Sequence, residues 1–397
     1  MTWIVCQIGA REDYAVARAL QGRGVLRQLV TDAWIAPSHP LRGVMGRLGE
    51  RSHPALAGIV WAPTARAVLR AATDKRMGRT GWAQIMQRND WFQRVAVRHL
   101  SRIDSTDVTV FAYSYAAAGI LALAKDRGWH SILGQIDPGP VEARMVDALY
   151  AETGDAHTPI PDTYWDTWRQ ETQLADTILV NSDWARQGLV AEGVANDKIA
   201  VLPLASDTTL RPAASTPPAE FNDDRPLRLL FLGQVTLRKG IDIALSAMRH
   251  LPDLPLRLDV VGPLQCTIPD GARQDKRIRF HGAVPRSAVA EAYARADVFL
   301  FPTRSDGFGL TQLEAQAAGV PVIASTRCGT VVADGVNGLI LDPLDAATLA
   351  DLLRGLVENP ARVARLRQGT GVDPRFGLDR LGASLLALDR DRRAAVL

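Results

Sequence analysis

The chain has 397 residues, more than one comfortable hydrophobic core accommodates, so its length predicts two domains. With 47% hydrophobic and 22% charged residues it reads as an ordinary soluble globular protein, and a net charge of +3 is too small to argue for a nucleic-acid partner. The three cysteines, Cys6, Cys266 and Cys328, lie far apart without a C-x-x-C pair, which excludes a zinc ribbon or disulfide scaffold and suits a reducing compartment.

The opening MTWIVCQIGARED reads as a strand entering a loop, without the charged and apolar regions of a signal peptide. No stretch approaches the ~20 uninterrupted apolar residues of a membrane span, so the cytoplasm is the expected address. Short β-branched runs bounded by Gly, Pro, Asp or Ser follow at 3–9, 26–32, 107–114, 131–137, 177–182 and 199–204. Helical patterns separate several of them, around 12–22, 115–127 and 183–192. Strands alternating with helices predict a parallel sheet covered on both faces. The window 38–102 stands apart: twelve Arg and Lys residues face only Glu50, Asp74 and Asp90, with Trp61, Trp82, Trp91 and Phe92 interleaved. Such a stretch reads either as a solvated helical face or as a contact for an anionic acceptor or lipid headgroups.

The segment 206–226 is rich in Pro, Ser, Thr and Asp, has no apolar period, and reads as a linker. The alternation then restarts, with strands expected at 227–234, 256–262, 277–284, 297–303, 320–326 and 337–343, and helices at 240–250, 286–296, 311–318 and 345–357. The fold class expected is α/β, with two doubly wound Rossmann-like domains, 1–205 and 227–375, facing across a cleft where such sheets bind ligands. The tail 376–397 has helical spacing and is expected to pack across the joint.

Two stretches of the second half carry chemistry. In RSDGFGLTQLEAQAAG, a strand ends near Thr303 and a helix starts near Thr311, leaving its first amides without carbonyl partners. Gly307 and Gly309 permit close approach of a ligand, and a helix N-terminus favours phosphate by about 1 kcal/mol. Glu314, in the first turn, could accept hydrogen bonds from two vicinal hydroxyls, as on a ribose; Thr311 and Glu314 also fit a capping box that would satisfy both locally. In FLGQVTLRKGID, Gly233 ends a strand and Arg238 and Lys239 follow on its loop, a fork and a point charge able to clamp a diphosphate.

These residues resemble the C-terminal half of the retaining, GT-B-fold glycosyltransferases of family 4, which take sugars from nucleotide diphosphates. The resemblance runs in order through FLGQVTLRKGI, the stretch from HGAVPRS to GVPVIAS, and GTVVADGVNGLIL, more loosely through 169–207, and weakly at 8–26. It implies that Asp306 approaches the donor sugar and Glu314 holds the ribose. It further implies that Arg238 and Lys239, with the amides of Phe308, Gly309, Leu310 and Thr311, bind the phosphates. The loop Gly9, Ala10 and Arg11 would close over the donor from the first domain. Three departures stand out: Asp306 replaces the usual Glu, Gln234 replaces a common Arg, and the first domain shows no clear match for a donor-site histidine. FAYSYAA lies where that histidine is expected, leaving Tyr113, Ser114 and Tyr115, with Asp137 a further acceptor candidate.

The implied activity is hexosyl transfer with retention to a glycan, lipid-linked or polysaccharide-precursor hydroxyl. The nucleotide sugar is then the donor substrate, with no cofactor and no divalent metal. The implied address is cytoplasmic, with peripheral contact to an anionic membrane through 38–102. Rival readings are an epimerase of the same fold and a nucleotide-sugar-binding protein without catalysis. A nicotinamide-dependent oxidoreductase would need G-x-G-x-x-G after the first strand, which GARED lacks.

Overall fold

The computed structural model of the chain describes residues 2–40, 42–207 and 218–396. Most of the expected linker, 208–217, therefore lies outside the described residues. Strands β1 (Thr2–Gln7), β2 (Leu26–Thr31), β3 (Val60–Trp61), β4 (Val108–Tyr113), β5 (His130–Gly134), β6 (Thr177–Val180) and β7 (Ile199–Val201) form one parallel sheet in the order β3-β2-β1-β4-β5-β6-β7. Its helices are α1 (Ala15–Gly22), α2 (Thr64–Arg76), α3 (Gly81–Leu100), α4 (Ala118–Asp126), α5 (Pro140–Thr153), α6 (Asp162–Leu174) and α7 (Asp183–Ala191).

The second sheet comprises β8 (Leu227–Leu232), β9 (Leu256–Val261), β10 (Ile278–Gly282), β11 (Val298–Phe301), β12 (Val322–Ala324) and β13 (Gly338–Ile340), in the order β10-β9-β8-β11-β12-β13. With it run α8 (Ile241–His250), α9 (Asp270–Gln274), α10 (Arg286–Arg295), α11 (Leu310–Ala317), α12 (Ala346–Glu358) and α13 (Pro360–Gln368), followed by α14 (Leu378–Val396). Both sheets reverse their strand order beside the first strand, between β1 and β4 and between β8 and β11. Crevices open there, outside the carboxyl ends of the strands.

Burial explains why these runs are strands. Trp3 and Val5 enter one apolar cluster while Ile4 and Cys6 enter another, one on each face of the sheet. In β8, Leu227, Leu229 and Phe231 pack on one face and Leu230 on the other. Strands covered on both faces need continuous apolar runs, and β4, VTVFAY, is buried throughout.

The last helix does not stay with the second domain. Phe376, just before α14, packs with Phe308 and Leu313 of the second domain, while Leu381 and Leu385 of α14 join the apolar cluster of α1 in the first. Asp389, fully buried, accepts hydrogen bonds from Thr109 Oγ at 3.0 and 2.9 Å, pairs with His130, and lies 3.1 Å from Arg393. Burial raises the Asp389 carboxyl, but the His130 and Thr109 hydrogen bonds and the Arg393 charge outweigh it and hold the group below the usual carboxylate range. Asp389→Ala, which strands these partners, should cost about 3 kcal/mol in urea denaturation at pH 7. A depressed native pKa lends stability that is complete above the unfolded carboxylate range and lost as pH falls through the native value. The gap between wild type and variant should therefore narrow on acidification, and a gap that stays constant would assign the loss to packing instead. Among the described residues no helix is long and apolar enough to cross a membrane.

Candidate functional site at the domain cleft

The loop between β8 and α8 and the corner between β11 and α11 are laced together. Gly240 has φ +78, and a Cβ there would stand 1.9 Å from Pro302 O, so the two backbones touch at a residue only glycine suits. Arg304 N donates to Arg238 O at 2.8 Å, and the Arg304 guanidinium forks onto Asp242 at 2.7 and 2.6 Å. Arg238 Nη1 donates to Ser305 O at 2.7 Å, and Lys239 Nζ pairs with Asp306 while lying 5.1 Å from the Phe301 ring centroid. Arg238, Lys239 and Asp306 thus meet in one place.

The cations are compensated internally rather than bare. Lys239 is held by Asp306, and Arg238 lies 3.6 Å from Glu142 of the first domain. Burial pushes the Asp306 carboxyl up, but the Lys239 and Arg238 charges and the hydrogen bonds from Lys239 and the Phe308 amide hold it below its ordinary value. Glu142 moves the other way, raised to about 7 by burial, with Asp137 and Asp306 adding to the rise and Arg238 and the Ser305 hydroxyl opposing it. Ser305 Oγ donates to Glu142 Oε2 at 2.5 Å and accepts from Trp184 Nε1 at 2.9 Å, stitching the domains at the β11–α11 corner. Neither Glu142 nor Ser305 was among the expected site residues. The signal was there: Glu142 opens α5 just after Pro140, at the cleft edge of the first sheet.

Helix α11 starts at Leu310 with Gly309 at its N-cap, φ +84, and no side chain caps it. Thr311 is therefore inside the helix, and the capping-box alternative fails. Glu314 instead accepts from the hydroxyl of fully buried Tyr293 at 3.0 Å and lines a cleft of about 810 Å³. Leu310, Thr311 and Leu232, the residue before Gly233, line it from the second domain; Ala10, Glu12 and Asp13 line it from the first. The Phe308 side chain turns inward, 2% exposed, and its amide donates to Asp306 Oδ1 at 3.2 Å. The amides that remain for an anion are those of Gly309, Leu310 and Thr311, the first of the helix. Gly307 presses on the other domain, where a Cβ would stand 2.0 Å from Ile136 O.

On the first-domain side, Gly9 N is held by Asp32 Oδ1 at 2.9 Å, and Arg11 lies over the Tyr113 ring at 5.5 Å. Tyr113 OH donates to Glu12 Oε2 at 2.9 Å, so Tyr113 supports the Gly9–Arg11 loop. Glu12, Asp13 and Tyr14 follow with φ of 52°, 49° and 61°, a run of non-glycine residues in the left-handed region beside the cleft. Tyr115 and Asp137 bond each other, OH to Oδ1 at 2.6 Å, and Asp137 Oδ1 also takes Gln135 Nε2 and Gly139 N, each at 2.9 Å. These two satisfy one another in a partly buried turn, and Ser114 is buried nearby. Glu171, in the last turn of α6, accepts from the amides of Tyr115, Ala117 and Ala118 at 2.6, 2.7 and 3.2 Å, capping α4. Among the described residues no group of three or more His, Cys, Asp or Glu side chains could hold a metal ion.

Two doubly wound domains of this order, meeting at a charged cleft, define the GT-B class. Solved structures agree. The Anabaena protein Alr3699/HepE in complex with UDP superposes with a TM-score of 0.63 at 13% identity, over 98% of this chain and 100% of that one. Sucrose-phosphate synthase from Thermosynechococcus elongatus superposes at 0.66 with 18% identity, over 100% of both. Residues 226–359 match the family glycosyl transferases group 1. A D-inositol 3-phosphate glycosyltransferase of Xylanimonas cellulosilytica is 36% identical over 226 residues, 52% of each chain. One from Acidothermus cellulolyticus is 26% identical over 418 residues, 96% of this chain and 84% of that one. The chain spans about half or less of the length of several curated relatives that it matches above 30% identity. The chain thus combines a GT-B-like two-domain fold with a second half similar to the glycosyl transferases group 1.

Proposed function

We propose that the chain transfers a hexosyl group from a nucleoside-diphosphate donor to an acceptor hydroxyl, on a glycan, lipid-linked or polysaccharide precursor, with retention of anomeric configuration. The observation that carries this reading is the meeting of Arg238, Lys239 and Asp306 at the corner that leads into α11, whose residues Leu310, Thr311 and Glu314 line the 810 Å³ cleft. A diphosphate placed there exchanges internal partners for itself: Lys239 leaves Asp306, Arg238 turns from Glu142, and the amides of Gly309, Leu310 and Thr311 complete the anion shell. Glu314 then takes the ribose hydroxyls.

The bond from the anomeric carbon to the β-phosphate oxygen breaks as the acceptor oxygen attacks from the same face. The acceptor proton passes to the leaving phosphate, so the chain supplies no nucleophile. Its residues position the reactants and stabilise charge growing on the leaving group. Arg238, Lys239 and the helix amides carry that charge in this reading, without a divalent metal. The basic window 38–102 borders the acceptor side and fits peripheral attachment to the cytoplasmic face of an anionic membrane.

A thermal-shift panel with UDP, GDP, ADP and dTDP tests the donor site, because a ligand present at a hundred times its Kd stabilises by about 2.7 kcal/mol. One nucleotide should raise the melting temperature by several degrees, and the matching labelled nucleotide sugar should be transferred or hydrolysed. Epimerised product, or tight binding without turnover, would replace the transferase reading with one of its rivals.

A further inference from the structure

The first domain holds a second charged hollow that donor chemistry leaves unused. Strand β2 ends at Thr31, placing Asp32 at the same sheet edge as Gly9. Asp32 is 4% exposed and holds two arginines, Arg51 Nη1 on Oδ1 at 2.6 Å and Arg88 Nη2 on Oδ2 at 2.9 Å. One carboxylate between two guanidiniums leaves a net positive charge, and most of their N–H donors point elsewhere. They converge on the donor-facing loop: a Cβ at Gly9 would stand 3.9 Å from the Nη2 atoms of both.

Behind this pair, a hollow of about 410 Å³ runs between α2 and α3, lined by Leu48, Ala67, Val68, Ala71, Ile85 and Trp91. It shares Arg70, Asp74 and Trp91 with a groove of about 550 Å³ edged by Arg66, Arg79 and Arg94. The apolar lining continues onto the surface. Of the eight large hydrophobic side chains that stand exposed among the described residues, three line the hollow or the groove: Val68, Leu69 and Ile85. Cations at the cleft end and an apolar track leading outward match a ligand with an anionic head and an apolar chain.

Building on the transferase reading of the adjoining cleft, we propose that this hollow seats the acceptor as an amphiphile. Its phosphate or diphosphate ester rests on Arg51 and Arg88 beside Gly9, and its apolar chain lies between α2 and α3. A small hydrophilic phosphate would leave the apolar lining uncovered, and a neutral lipid would leave the positive charge in excess of Asp32 unmatched.

Calorimetric titration of the full chain tests this with a short prenyl monophosphate below its micellar concentration, beside the parent prenol, inorganic phosphate and phosphatidylglycerol vesicles. Saturation at one prenyl phosphate per chain is expected, about ten-fold or more tighter than prenol or phosphate alone. Arg51→Gln and Arg88→Gln should each weaken it about ten-fold. Because either change removes a partner of Asp32 and can disturb the fold, Ile85→Asn is the second variant. It spares the arginine pair and should weaken prenyl phosphate while leaving inorganic phosphate unaffected. Equal affinity for phosphate and prenyl phosphate would overturn the amphiphile. So would vesicle binding that prenyl phosphate does not compete with and that Arg51→Gln leaves intact, since the surface alone would then attract lipid. Nucleoside-diphosphate binding, measured in the same samples, separates the two readings: its absence alongside prenyl phosphate binding counts against the donor site, not against this seat.

Discussion

Replacing Lys239 with alanine is expected to lower turnover ~10²-fold or more, and Arg238→Ala to act alike, the usual scale for removing one donor aimed at developing charge. The structure refines how the loss should divide. Lys239 is paired with Asp306, so its removal also leaves a partly buried carboxylate facing Arg238 alone. Lys239→Ala should therefore depress kcat more than nucleotide affinity, because Arg238 is drawn toward Asp306 and away from the leaving group. Asp306→Asn, added to Lys239→Ala, should recover part of the loss by removing that competing charge. Purified variants with unchanged turnover would take both cations out of the mechanism.

Gly307→Ala should be nearly as damaging by a different route. Gly307 has no positive φ, so alanine brings no backbone strain of its own. The methyl group would instead meet Ile136 O at 2.0 Å, the Ile136 carbonyl carbon at 3.0 Å and Asp137 Cα at 3.4 Å, all backbone atoms of the opposite domain. Neither side can swing away, so the domains must part by roughly 1 Å, a misplacement that can cost ~10²-fold in rate. Nucleoside-diphosphate affinity should change little, since the phosphate corner lies within the second domain. Steady-state kinetics beside nucleotide titration checks the split; unimpaired kcat would mean that catalysis does not pass through this closed contact.

Much of the fold was legible because parallel strands buried on both faces must be apolar throughout. The runs at 26–32, 107–114 and 227–234 correspond to β2, β4 and β8 within two residues. What sequence could not show were contacts between distant positions. Glu171 looks like the end of its own helix, yet it caps a helix that begins more than fifty residues earlier. Arg238, Lys239 and Asp306 were legible as residue types in a pattern. That Lys239 and Asp306 neutralise each other, and that Glu142 reaches across to Arg238, depends on two loops and two domains meeting. The capping box at Thr311 and Glu314 misled because register decides it: a glycine at φ +84 starts the helix two residues earlier than a threonine cap would. The window 38–102 read correctly as charge, but only folding shows Arg51 and Arg88 gathered on one aspartate.

The chain crosses between the domains twice, and the crossings run side by side, Ser206 N donating to Phe376 O at 2.9 Å. The first domain is thus assembled from segments on both sides of the second, its α1 face covered by α14. The second is an insertion within it, with a core closed by its own residues. In a growing chain the second domain can close its core while the first still lacks α14, so the α1 face stays uncovered until that helix has emerged.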